Sequence, residues 1–429
     1  MSWLMADQLI ANALAFLVLI YVARSLGPQD YGIYAYVFSI ALLLGSLTQL
    51  GLDGLVIREL LKNPHDQAEI LGTTAALRLA VAAVMAAGIV GFGYAVEQHT
   101  YQEQQLFLAA AVTVFVGPAS AVVACWFKAK LQAVYPSISN IIASAAAGAM
   151  KIGFLAGGLG VVWVGVGQAL GVIVGAGVIV LLYARLGGPS YSEWRFSLSR
   201  ARSLLGESWK LLVGSTFAMI YMQIDITMLR LMVNSEAAGE YAIAARVVMM
   251  TTLFAGALTT TLFPSLIRAH ADDDTLRYHA MLRGTFGMMF VSSYVLVVGF
   301  VLLGPTILVV AFGAEYAASE TALVLLSMVL PFAFARMVIT RWIILERQGN
   351  YLIGSEVAGA SVNVTLNFLL IPTYGGIGAA ISTILSFVVT TILCLAFTAR
   401  GRILLALMLS SMINPVSPAL WMVRHGRST

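Results

Sequence analysis

Charge is the scarcest commodity in this sequence: Asp, Glu, Lys and Arg make up 10% of its 429 residues, against 60% hydrophobic. A soluble domain is about 25% charged, so a water-soluble enzyme of this size could not cover its surface with polar groups. The mean hydropathy of +0.91 excludes a disordered chain as well. Cysteine is nearly missing. The only two, Cys125 and Cys394, lie far apart in apolar runs, which leaves neither a CxxC pair nor a disulfide framework. Catalytic signatures are missing too. There is no HExxH, no Walker A loop and no GxSxG elbow, and the five histidines fall outside the apolar runs. No metal, cofactor or nucleic acid is expected, and the chain is not expected to be an enzyme. MSWLMADQLI lacks a basic n-region, so no cleavable signal peptide is expected.

What is present is a series of unbroken apolar runs, such as LRLAVAAVMAAGIVGFGYAV at 77–96. A β-barrel would show alternation over segments of about ten residues. A spanning helix needs about 20 apolar residues, and the pattern predicts an all-α integral membrane protein of about twelve such helices. They lie near 3–23, 31–51, 69–95, 105–127, 137–159, 161–184, 209–229, 238–264, 284–311, 321–345, 350–371 and 376–399. A further stretch at 403–412 is too short to span and is expected at the interface.

Lys and Arg settle the expected orientation. With the N-terminus inside, 17 of the 24 fall in cytoplasmic segments, two (Arg24 and Arg230) in external loops and five within spans. Cytoplasmic loops carry such an excess, so both termini are expected in the cytoplasm. The longest connection, 185–208, is basic and carries a Gly-Gly-Pro break. It predicts an N-terminal six-helix bundle at 1–184, a cytoplasmic linker at 185–208, and a C-terminal six-helix bundle with a short tail at 209–429. Halves of six spans enter the membrane in the same direction, so any repeat is parallel. One weak echo fits: Gly32-Ile33-Tyr34-Ala35 opens the second span and Gly239-Glu240-Tyr241-Ala242 the eighth. Pro118, Pro305 and Pro331 fall inside spans and are expected to kink them. Gly153/Gly157 and Gly167/Gly171/Gly175 have the small-xxx-small spacing of close helix packing, expected between spans five and six.

The informative residues are the ionisable ones inside spans: Arg78, Lys151, Arg246, Arg336 and Arg341 against Asp7, Asp225 and Glu356. Each charge at a helix centre costs about 2.5–3.5 kcal/mol on insertion scales, so such groups face a watery cavity or an opposite charge. Cations are in excess. An arginine fork matches a phosphate, and the five cations are candidate binders of a phosphate or pyrophosphate, with structural pairing as the alternative for Arg78, Lys151, Arg246 and Arg336, and snorkelling to the cytoplasmic interface for Arg341. Asp225 and Glu356 are candidates for a coupling-ion or proton site, or for counter-charges. Asn363 and Asn367, four apart on one helix face, are candidates for hydrogen bonds to a sugar or between helices.

Several motifs then resemble a known family. Ala23-Arg24-Ser25-Leu26-Gly27-Pro28-Gln29-Asp30-Tyr31-Gly32 resembles the ARxLGPxxYG signature of bacterial polysaccharide exporters. Gly51-Leu52 with Ile57-Arg58-Glu59, and Asp225-Ile226-Thr227-Met228-Leu229 leading to Gly239-Glu240-Tyr241, are similar to its patterns after spans two and seven. So is Asn363-x3-Asn367-x3-Ile371-Pro372-x-Tyr374-Gly375-x2-Gly378-Ala379-Ala380. The family is the O-antigen-type, Wzx-like flippases of the multidrug/oligosaccharidyl-lipid/polysaccharide exporter superfamily, related to MATE exporters. The resemblance implies two six-helix bundles around a central cavity, alternating access, and an undecaprenyl-pyrophosphate-linked oligosaccharide moved to the outer leaflet of a bacterial inner membrane. It further implies a role in lipopolysaccharide O-antigen or exopolysaccharide synthesis, with membrane lipids, a polysaccharide polymerase and other assembly proteins as partners. The basic stretch that often precedes span one in that family is missing, and the short 403–412 segment argues against the fourteen-span lipid II branch. A MATE-type drug/cation antiporter is the alternative, which the cation excess disfavours. A membrane glycan polymerase is a third reading, which the short external loops disfavour.

Overall fold

Glycine decides where the longest apolar runs turn back. The computed structural model describes the backbone of residues 2–97, 99–271, 274–346 and 348–425, with side chains except at 2–12, 271, 349–350 and 421–425. The first helix, α1 (Ser2–Thr48), is broken at Gly27, where φ is 71° and ψ 172°. An unbroken helix of that length would run about 70 Å, more than twice the roughly 30 Å hydrocarbon core. Its two arms meet neighbouring turns of one helix: Val18 packs on Gly148, and the Tyr34 hydroxyl accepts from Lys151. Then follow α2 (Asp53–Lys62), α3 (Gln67–Ala95), α4 (Tyr101–Ala129), α5 (Val134–Ala156), α6 (Val161–Arg185), α7 (Leu198–Met232) and α8 (Ser235–Met250).

The remainder consists of α9 (Thr252–Ala271), α10 (Thr275–Phe312), α11 (Ser319–Ser327), α12 (Leu330–Leu345), α13 (Gly349–Val388), a π-helical turn at Val389–Leu393, α14 (Cys394–Ala396), α15 (Ala399–Ile413) and α16 (Val416–His425). Gly375, with φ 52°, breaks α13 as Gly27 breaks α1. Gly378 lies against Leu370, and Gly359 against Thr390. Those pairs share one antiparallel register centred near Gly375, so α13 is a hairpin of two spans.

Among the described residues nine helices are long and apolar enough to cross a membrane, and the bent pair α11 and α12 makes a tenth. Counting both arms of α1 and of α13 brings the ten to the twelve spans expected. The protein is an all-α, multi-pass membrane protein. Pro331 sits at the first turn of α12, after a 40° bend, where its missing N–H costs nothing. Pro118 and Pro305 lie inside α4 and α10.

The contacts divide the chain into two compact units, Met1–Gly239 and Glu240–Thr429. In the first, the Gly167/Gly171/Gly175 stripe of α6 meets Met150, Ala147 and Ala143 of α5, the expected packing of spans five and six. Gly153 and Gly157 take no part in it. The echo residues Gly32 and Gly239 meet backbone to backbone: a Cβ on either would strike the carbonyl oxygen of Ser235 or of Pro28. The 185–208 connection is strapped to α3. The Arg195 amide donates to Ala68 O (3.4 Å) and the Ser197 amide to Thr73 Oγ1 (3.0 Å). Arg200 bonds Glu69 (2.8 Å) and Asp66 (3.0 Å), and burial pushes the Tyr191 phenol above its ordinary pKa. In the second unit α10 is the hub, packed by α9, α11, α12, α15 and α16.

Candidate functional site

The first unit carries an open cleft of about 480 Å³ between the second arm of α1, α4, α6 and α7. Its polar lining is Ser46, Thr48, Gln49, Thr113, Gln168 and Ser215, set among Phe38, Val114, Pro118 and Met219. No charged side chain is among the described residues that line it. Lys151 on α5 stands at one edge. Its Nζ donates to Gln168 Oε1 (2.5 Å) and Tyr34 Oη (3.0 Å), and lies 5.3 Å from the Tyr34 ring centroid. Tyr34 in turn packs on Phe38 at 4.6 Å. Every recorded partner of Lys151 is neutral, so its charge is held in place without being cancelled.

Arg78 on α3 touches another lining residue, donating to the carbonyl of Gln49 (3.2 Å), and is ion-paired with Asp53 of α2. The guanidinium is fully buried, while Asp53 is half exposed; Arg78 Nε and Nη1 have no partner among the described residues. Asp225 on α7 is buried. Two residues away, Thr227 shares a 2.8 Å hydrogen bond with Ser39 of α1. Asp7 lies outside the described side chains.

In the second unit Arg336 of α12 is buried and cancelled. Nη2 donates to Glu356 Oε1 (2.5 Å) and Ser355 Oγ (2.7 Å), and Nη1 to the Thr390 carbonyl (2.9 Å). Thr390 belongs to the π-helical turn, whose i→i+5 pattern frequently marks functional positions. Glu356 Oε2 has no partner among the described residues. Arg246 on α8 is exposed, with no ion-pair partner among the described residues. Arg341 sits 5.1 Å over the Phe263 ring, also without a carboxylate among them. Asn363 and Asn367 are fully buried and bond each other along α13 (Asn367 Nδ2 to Asn363 Oδ1, 3.2 Å), and Asn363 Nδ2 has no partner among the described residues. The structure thus brings together Arg78 with Asp53, and Arg336 with Glu356. Lys151, Arg246 and Arg341 stand apart from any carboxylate among the described residues.

Comparison with known proteins places this arrangement. Residues 1–270, well over half the chain, match the family described as polysaccharide biosynthesis protein. The chain belongs to the polysaccharide biosynthesis protein family. That match takes in the motifs at 23–32 and 225–241 and bears out the family resemblance drawn from them. A curated relative, the probable low-salt glycan biosynthesis flippase Agl15 of Haloferax volcanii, is 24% identical over 381 residues, covering 89% of this chain and 79% of that protein. Among solved structures, the lipid II flippase MurJ in an inward closed conformation is similar with a TM-score of 0.75 at 15% identity, covering 96% of this chain and 92% of that one. An inward-facing MATE-family multidrug transporter of the MOP superfamily gives 0.73 at 14%, covering 93% and 95%. At such identities the likeness establishes a fold, and the fold is MATE-like.

Within this family member, one cluster was missed by reading the sequence. Arg230 appears there as an external-loop cation; in the structure it pairs with fully buried Glu103 at 2.7 Å. Thr100 and Glu103 form a capping box at the start of α4. The T-x-x-E spacing was the available signal. His99, buried between Tyr36 Oη (2.9 Å) and Gly93 O (3.0 Å), completes the cluster.

Proposed function

We propose that this protein is a flippase for a lipid-linked oligosaccharide, with undecaprenyl-pyrophosphate as the carrier. It works in a bacterial inner membrane with both termini in the cytoplasm. The observation that carries the reading is Lys151: an uncancelled cation on the rim of a mainly apolar cavity whose described lining is neutral and includes six hydroxyl or amide side chains. Such a lining suits sugar hydroxyls, and such a cation suits a phosphate. Family membership and the glycan-flippase relative support the same class.

The five intramembrane cations then divide. Lys151, Arg246 and Arg341, with no carboxylate partner among the described residues, are available to the pyrophosphate. Arg78 and Arg336 are held by Asp53 and Glu356. Protonation of Glu356 would neutralise the partner of Arg336 and release the guanidinium, which offers a route from a proton gradient to phosphate binding; Asp225 is the other candidate for coupling. The two six-span halves at 1–184 and 209–429 would alternate access to the substrate, and a polymerase would take the delivered glycan towards O-antigen or exopolysaccharide. The chain moves its substrate without transforming it.

The test is a flipping assay in proteoliposomes, with a pyrophosphate-linked polyprenyl glycan and a membrane-impermeant glycosidase. Protein-dependent loss of protection, weakened in Lys151→Ala, is expected. A second reading, a cation antiporter, calls for an acidic cavity to hold a cationic drug, and no carboxylate is among the described residues that line this one. Efflux of a cationic dye from the same vesicles, with no glycan movement, would replace the flippase reading with that one.

A further inference from the structure

The second unit carries two adjoining crevices on the face where α10, α15 and α16 meet, and neither has a part in the transport reading. The larger, about 320 Å³, is lined by His279, Ala280 and Arg283 of α10, Leu407 of α15, and Ser417 and Pro418 of α16. The smaller, about 140 Å³, shares His279 and Leu407 and adds Trp342, Glu346, Arg400 and Leu404.

Their electrostatics are one-sided. Glu346 is already engaged, by Arg400 at 2.8 Å and by His270 at 3.8 Å. The Arg283 guanidinium has no hydrogen-bond or ion-pair partner among the described residues; only its backbone carbonyl is used, accepting from Ser411. Arg277, earlier on α10, and Arg402 on α15 add two more guanidinium groups with no ion-pair partner among those residues, although the Arg277 amide donates to Asp274 Oδ1 (3.0 Å). An exposed guanidinium fork with all its donors open, beside an imidazole, fits the oxygens of a phosphate.

The surroundings specify what bears that phosphate. Ile403 is 51% exposed, Phe397 85%, Ile413 86% and Val416 56%. Ile403 and Ile413 lie on α15, Val416 opens α16 and Phe397 lies just ahead of α15, and both helices are too short to span a bilayer. Cations over an apolar apron form the pattern of an interfacial segment. On the orientation expected from the Lys and Arg bias, this face meets the cytoplasmic leaflet, whose surface is negative.

We propose that this crevice binds the phosphate headgroup of an anionic membrane lipid. Arg283 and His279 hold the phosphate, and the acyl chains run out past Leu407 and Ile403. The occupant docks the α15–α16 tail to the membrane, and the site is independent of the substrate cavity.

The test uses the full chain, delipidated in detergent and titrated by native mass spectrometry with dioctanoyl-phosphatidylglycerol. The same titration is run with dioctanoyl-phosphatidylcholine and with inorganic pyrophosphate. One saturable phosphatidylglycerol molecule is expected, bound at least tenfold more tightly than phosphatidylcholine and not displaced by equimolar pyrophosphate. Arg283→Ala should weaken it about tenfold and Arg283→Glu abolish it, while Arg58→Ala, a surface cation of the first unit, leaves it unchanged. Unaltered affinity in both Arg283 variants, or equal binding of phosphatidylcholine, would overturn the site. Displacement by pyrophosphate would overturn the lipid assignment, because the crevice would then read a free phosphate. Melting curves without lipid, expected to match the unmodified protein since Arg283 is exposed, separate lost binding from lost fold.

Discussion

Lys151 in the first unit and Arg336 in the second both place a cation within a span, and they resolve it in opposite ways. Arg336 is surrounded by Glu356, Ser355 and the Thr390 carbonyl, so its charge is cancelled where it lies. Lys151 has a phenol and an amide, which fix its position, and no carboxylate among the described residues cancels its charge. Burial alone therefore does not nominate a ligand site; the chemistry of the partners does. A guanidinium already engaged by a carboxylate has its charge answered within the helices, whereas an ammonium held by neutral oxygens keeps the charge that the proposed phosphate would meet.

The sharpest way to break this contrast is Glu356→Ala. Removing one partner of a buried pair leaves an uncompensated charge and costs about 3–5 kcal/mol, so a large drop in melting temperature of the detergent-purified protein is expected. The double variant Arg336→Ala/Glu356→Ala should recover much of that loss. If the single variant melts normally, the pair is not structural. Lys151→Ala should do the reverse, leaving melting nearly unchanged while lowering flipping by roughly 10–100-fold, the equivalent of about 1.5–3 kcal/mol for a hydrogen bond to a charged group. A Lys151→Ala protein that flips normally would end the assignment of that residue to phosphate.

Arg78 provides an intermediate case, because its partner Asp53 is half exposed and water screens it. Asp53→Asn is expected to cost about 1–2 kcal/mol in stability, less than Glu356→Ala. Equal losses in the two would mean that exposure of the partner is irrelevant. The smallest effect is expected from Tyr34→Phe, which removes one neutral acceptor from Lys151. A shift of about 0.5–1.5 kcal/mol in glycan affinity, read from the concentration dependence of flipping, is the expected size.

Much of the scaffold is visible in the sequence because the bilayer allows so few solutions. Every buried peptide group must bond within a helix, so apolar length marks the spans almost directly, and the breaks at Gly27 and Gly375 fall in the gaps between them. The α6 glycine stripe could be read for the same reason, since close approach demands small side chains at one spacing. Pairing is harder to see. Arg336 and Glu356 are 20 residues apart on different helices, and no local periodicity ties them. The π-helical turn that presents the Thr390 carbonyl leaves no compositional trace either, being set by the neighbour it faces. Arg230 looked like a loop charge because hydropathy reports depth along a helix and says nothing of the helix beside it.

The strap at 194–200 has a consequence for anyone who cuts or labels the chain. By composition the 185–208 connection looks like the natural place for a protease or a split-protein junction. Its Arg195 and Ser197 amides are nonetheless occupied by α3, so in deuterium exchange they should behave as helix amides do, although they lie in a loop. A break at Gly187, ahead of the strap, leaves Arg195, Ser197 and Arg200 gripping Ala68, Thr73 and Glu69. The two fragments should therefore migrate as one particle in mild detergent.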